Sequence, residues 1–207
     1  MLARATCALE YGCRIRRIDG RMPILQLDFG CGRPLGVAML RAGGAMPDKL
    51  VNIKADSVEE FMEKVSDAVG EGEGIMGVTD YDIGAKVTTD SNGKIKTVTF
   101  KVDISIKRAH WAGGKADDKN KKAIQAAEAA NKKHEENHKK LIEQICAREF
   151  AKAAKDLKGK DQDELQDAVD AIKKKVDDAN EKLDDKEGKT EVKPQSNGSF
   201  TVKQIGR

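Results

Sequence analysis

The stretch His134-Glu135-Glu136-Asn137-His138 reads H-E-x-x-H. On a helix, residues four apart stand one above the other. His134 and His138 are therefore expected to aim two imidazoles at one ion, with Glu135 close enough to reach a water held there. The spacing is a zinc metallopeptidase signature. Neutral imidazole suits zinc, and a catalytic zinc takes three protein ligands and leaves a position for water. A carboxylate beside that water takes its proton. The plain alternative is a solvated Lys/Glu helix with two incidental histidines, and Lys132, Lys133, Lys139 and Lys140 fit it. Against it, Leu141 and Ile145 continue the stripe begun by His134 and His138, which puts the imidazoles on the inward face. A polar group there needs a partner.

Working outward, Asp117 or Asp118 can cap a helix that runs to about Leu157. A second helix spans about Asp161 to Leu183, with Leu165, Val169, Ile172 and Val176 as its stripe. A short loop joins them and predicts antiparallel neighbours. The end of the second helix then returns to the level of the histidine pair, bringing Asp184, Asp185 and Glu187. Any of these carboxylates could complete a zinc shell. The remaining histidine, His110, is a further candidate at the end of a strand. Glu149 lies about 16 Å along the helix axis from His138, too far to share an ion.

Ahead of the helices the sequence reads as strands. Leu50 to Ile53 is a short one. Ser57 and Glu60 form a capping box, S-x-x-E, before a helix with Phe61, Val65 and Val69 on one face. Tyr81, Ile83, Ala85 and Val87 alternate with polar residues. Asn92-Gly93 signals a hairpin, and the return strand alternates Val98, Phe100, Val102, Ile104 and Ile106 against polar neighbours. A second hairpin signal, Asn197-Gly198, precedes Phe200 and Val202. The expected fold is α+β and zincin-like: a small antiparallel sheet packed on long helices that include an antiparallel helix pair.

Residues 1–45 differ in kind. They carry seven arginines and no lysine, against three acidic residues, and three of the four cysteines. The change at Met46 favours upstream sequence read through ahead of a domain at 46–207. A targeting segment or a small structured appendage are the other readings. Cys7, Cys13 and Cys31 have no metal-ligand spacing, and Cys146 is expected to pack. The net charge of +3 is too small to suggest nucleic acid. No run approaches the ~18 apolar residues of a membrane span. No clean signal peptide is present, which leaves a cytoplasmic protein or one exported by a route not visible in the sequence.

Residues from about 77 to 188 resemble a family of bacterial domains of unknown function described as predicted zinc-dependent proteases. The resemblance rests on Val78-Thr79-Asp80-Tyr81-Asp82-Ile83-Gly84, on the strand Thr97 to Ile106 leading to Trp111, on His134 to His138, and on Leu183 to Gly188. It departs at Lys107-Arg108-Ala109-His110, where the family has a Pro before the Trp. It departs again near the end, where the family often reads Tyr-Asp-x-x-Thr-x-His-Gly. Glu187 stands where that His would be. The resemblance implies a zinc peptidase with His134, His138 and Glu187 on the metal, Asp184, Asp185 or His110 as substitutes for the last, and Glu135 as general base. The partner is then a peptide or protein substrate. The rival expectation is a non-catalytic helical interaction module, or a metal-free relative.

Overall fold

Alternating residues on either side of Asp90–Lys94 make the hairpin on which the molecule is built. The computed structural model describes residues 8–11, 48–69 and 74–206. Its elements are β1 (Ala8–Tyr11), β2 (Lys49–Ile53), α1 (Val58–Val69), β3 (Gly77–Thr89), β4 (Ile95–Trp111), α2 (Asp118–Asp156), α3 (Asp163–Glu187), β5 (Lys189–Pro194) and β6 (Phe200–Ile205). In the β3–β4 hairpin Tyr81 stands opposite Ile104, Ile83 opposite Val102, Ala85 opposite Phe100 and Val87 opposite Val98. These side chains share one face, because the side-chain period of a strand is two. Gly93 sits at φ 78° in the turn, a conformation glycine adopts without strain.

The architecture is α+β, with a four-stranded sheet in the order β1-β3-β4-β2 and a separate β5–β6 hairpin. The sheet is mixed, which corrects the expectation of an antiparallel one. β2 runs parallel to β4, with Lys49 opposite Lys107 and Ile53 opposite Trp111. Parallel neighbours need a long crossover, and α1, twelve residues long, lies in it. Ser57 caps α1 through Oγ, which accepts from Glu60 N at 3.1 Å. The Glu60 carboxylate accepts from Asp56 N rather than from Ser57, so the capping box closes one residue early. Asn120 at the start of α2 adds a second cap, accepting from Val58 N at 2.8 Å.

Asp117 Oδ1 accepts from Asn120 N at 2.8 Å and starts α2 where the sequence places it. α3 runs on to Glu187, four residues past the expected end at Leu183. No Gly or Pro intervenes before Gly188, whose N–H donates to Asp184 O at 2.8 Å and closes the last turn. α2 and α3 are antiparallel: Glu149 pairs with Lys175, and His138 with Asn180 and Asp184. The α2–α3 turn is tied to the sheet by Ile95 N donating to Lys160 O and Gly159 N donating to Ile95 O. Tyr81 on β3 donates to Asp177 Oδ1 at 2.6 Å and fixes α3 one turn before Asn180.

Two apolar clusters result. One joins the hairpin face to the second half of α2 and to α3, through Ile83, Val87, Ile142, Cys146, Val169 and Val176. The other joins α1 to the first half of α2, through Phe61, Val65, Ile124 and Ala127, with Val192, Phe200 and Val202 of the β5–β6 hairpin packed against it. Within residues 1–45, β1 pairs antiparallel with β3 from Ala8↔Thr88 to Tyr11↔Ala85. The three cysteines of that segment lie outside the described residues; Cys146 is buried and free. Among the described residues, neither cluster draws on a residue before Val51. A chain beginning at Met46 should therefore keep a cooperative thermal transition, checked by circular dichroism, with only the β1 edge lost. No helix among the described residues is long and apolar enough to cross a membrane.

Candidate metal centre

The buried face of α2 reads Ala123, Ile124, Ala127, then Asn131, His134, Glu135 and His138, then Ile142, Ile145 and Cys146. Four polar side chains thus interrupt the apolar stripe at the junction of the two clusters. Leu141 is only half-buried, and Ile142 takes the fully buried place beyond His138. An unpaired polar group inside a protein costs about 1–3 kcal/mol, so such a cluster is more than packing requires. It is also under-bonded. His134 Nδ1 and Asn131 Nδ2 are buried with no hydrogen-bond partner among the described residues.

α3 brings Asp184 to the histidines. The two Nε2 atoms lie 3.0 Å apart, and Asp184 Oδ1 is 3.0 Å from His138 Nε2 and 3.2 Å from His134 Nε2. The imidazole planes are nearly perpendicular, at 85°. Among the described residues His134, His138 and Asp184 form a group able to hold a metal ion. The dimensions suit zinc. Bonds of 2.0–2.1 Å in tetrahedral geometry place neighbouring donors about 3.3 Å apart, close to this triangle. Two imidazole nitrogens and a carboxylate oxygen are also an ordinary zinc donor set.

The other carboxylates named from the sequence fall differently. Glu187 lies one turn beyond Asp184, with Oε1 accepting from Asn137 Nδ2 at 3.1 Å and standing 3.9 Å from His134 Nδ1. Asp185 is exposed. His110 pairs with Glu128 at 3.0 Å. Glu128 precedes His134 by six residues on α2, about 9 Å along the axis, so His110 does not join the group.

Glu135 faces the sheet rather than α3. Its Oε2 accepts from Thr79 Oγ1 at 2.7 Å. Burial pushes its carboxyl above the usual range, with Asp184 adding to that, against the opposing pull of Thr79, His134 and His138. For His138, burial opposes the charged form, but bonds with Asp184 and Asn180 outweigh it and hold the pKa above the ordinary histidine value. Gly77 leaves the space in which Glu135 sits: a Cβ there would lie 2.7 Å from Glu135 Oε1, 2.8 Å from Asn131 Nδ2 and 2.9 Å from Glu135 Cγ. Both side chains are buried, at 2% and 3% exposure, so neither can yield cheaply. Gly77→Ala should cost about 1–3 kcal/mol as an overpacked site, read as a lowered denaturation midpoint at unchanged slope.

Thr79, Asn131, Asn137, Asn180 and Gly77 were not picked out from the sequence as site residues. Asn180 had a signal, four residues before Asp184 on one helix face. Thr79 had only its place on β3 and in the Val78–Gly84 stretch, since which helix a strand faces is set by long-range packing.

The model of the family described as a bacterial protein of unknown function (DUF922) matches residues 51–191. That is most of the chain, and the protein belongs to this family. The matched segment holds β3, β4, α2 and α3 whole, and with them every residue of the site above. No curated protein and no solved structure matches the chain.

Proposed function

We propose that this chain is a zinc-dependent peptidase in which His134, His138 and Asp184 hold the ion and Glu135 is the general base. The observation that carries this reading is the donor triangle: three ligand atoms converge within 3.2 Å of one another at a buried point. It lies on a helix whose next residue, Glu135, is a buried carboxylate with raised proton affinity. A zinc ion there would supply Lewis acidity and make water a nucleophile near neutral pH. Glu135 accepts the proton of the attacking water at Oε1, since Thr79 occupies Oε2, and passes it to the leaving amine nitrogen. A carboxylate with raised pKa suits both halves of that transfer.

A binding place for the substrate backbone adjoins Glu135. β2 covers β4 only from Lys107 to Trp111, so the outer edge of residues 97–105 has no strand partner among the described residues. Just beyond that edge, at Ile106 and Arg108, lies a cleft of about 100 Å³ lined also by Asp48, Glu135 and Lys139. An extended peptide added along that edge would bring a carbonyl past Glu135.

The purified protein should take up about one zinc per chain, measured by elemental analysis after dialysis. No stoichiometric transition metal, even after zinc addition, would leave the interaction-module reading. Binding should also depend on pH. His138 carries its proton to higher pH than a free histidine, so zinc must displace that proton. Apparent affinity should fall as pH drops through that raised pKa, with proton release visible as a buffer-dependent enthalpy. In the metal-free protein the same group should stabilise fully below about pH 6.5, the unfolded histidine value. That contribution should disappear as pH rises through the folded pKa.

A further inference from the structure

Asn180, Asp184 and Glu187 occupy positions i, i+4 and i+7 of α3, one helical stripe. It faces His134, Asn137 and His138 of α2, and two of its three members do not reach the donor triangle. Each lies instead toward the far nitrogen of one imidazole. Asn180 Oδ1 is 2.9 Å from His138 Nδ1. Glu187 Oε1 is 3.9 Å from His134 Nδ1, the buried nitrogen that has no hydrogen-bond partner among the described residues, and Asn137 Nδ2 holds that carboxylate in place at 3.1 Å.

We infer that Asn180 and Glu187 are positioning residues that orient the two imidazoles, Asn180 on His138 and Glu187 on His134; this rests on the metal-centre reading above. An imidazole that presents the Nε2 lone pair to a metal carries its proton on Nδ1, and that N–H needs an acceptor. Asn180 supplies an amide oxygen at hydrogen-bond distance. Glu187 needs a side-chain adjustment of about 1 Å to reach an ordinary N–H···O length, and a glutamate with three side-chain torsions can make it. The two acceptors differ in charge. A carboxylate stands behind His134 and a neutral amide behind His138. One face of α3 thus provides acceptor, ligand and acceptor in sequence.

The test is zinc competition against a chromogenic chelator, with cobalt substitution as a readout of the ligand set. Asn180→Leu and Glu187→Ala should each weaken zinc by about 10–100-fold, the usual cost of losing a partner behind a ligand. Both should keep the wild-type cobalt absorption bands, because the three ligands remain. Asn180→Asp and Glu187→Gln retain an acceptor oxygen and should stay within a few-fold of wild type, which separates orientation from a general loss of fold. Unchanged zinc affinity in Asn180→Leu and Glu187→Ala would overturn the inference while leaving the metal centre standing. A cobalt spectrum altered by Glu187→Ala would overturn it in another way, by making Glu187 a ligand. A wild-type protein that takes no zinc would overturn both readings at once.

Discussion

Asp184→Ala should lose zinc as completely as His134→Ala or His138→Ala, by at least ~10²-fold, more than the upper range for an outer partner. The reason is geometric. Asp184 Oδ1 is the carboxylate oxygen 3.0 and 3.2 Å from the two Nε2 atoms, and without it the donor set falls to two. Asp185→Ala should bind zinc like wild type, because that residue is one step round the helix and exposed. His110→Ala should also be neutral, since His110 is held by Glu128. Chelator competition on the five variants gives the order directly. Zinc lost in His110→Ala but kept in Asp184→Ala would place the third ligand on the sheet and refute the assignment to α3.

The sequence carried the metal motif further than its completion. His134 and His138 share a helix and a spacing, so local periodicity alone sets them side by side. The return of α3 to their level was also legible, from helix rise and a short loop. Which carboxylate arrives was not, because it turns on where α3 ends. With the helix stopped at Leu183, Asp184, Asp185 and Glu187 are equivalent members of a loose segment. With the helix carried to Glu187, each residue is fixed at 100° from the next. Asp184 then turns toward the histidines, Asp185 away, and Glu187 to the rear of His134. The absence of Gly or Pro before Gly188 was the overlooked signal.

The sheet shows a different limit. The β3–β4 hairpin was readable, since both strands and their turn are local. The parallel pairing of β2 with β4 joins residues far apart, and no local pattern records it. The same holds for Thr79 against Glu135, 56 residues apart. The interruption of the α2 stripe by four polar residues was visible in part. Asn131 looks like a surface residue until Gly77 is seen pressed against it.

Glu135→Gln should keep zinc and lose peptide hydrolysis by at least ~10²-fold, the lower scale for a positioned base. The amide keeps the shape and can still accept from Thr79, so neither the fold nor the donor triangle changes. What disappears is the group that takes the proton. The same substitution should raise stability in the metal-free protein at pH values above the raised carboxyl pKa. There Glu135 must be ionised at 2% exposure, and a neutral amide avoids that cost. A variant that is more stable, equally metallated and inactive is the expected signature of a group kept for chemistry against the interest of the fold. The measurements are zinc content, the thermal midpoint at pH 8, and cleavage of dye-labelled casein by zinc-loaded wild type and variant. Full cleavage by Glu135→Gln would move the base elsewhere, and a lowered midpoint would make Glu135 a structural partner of Thr79 instead.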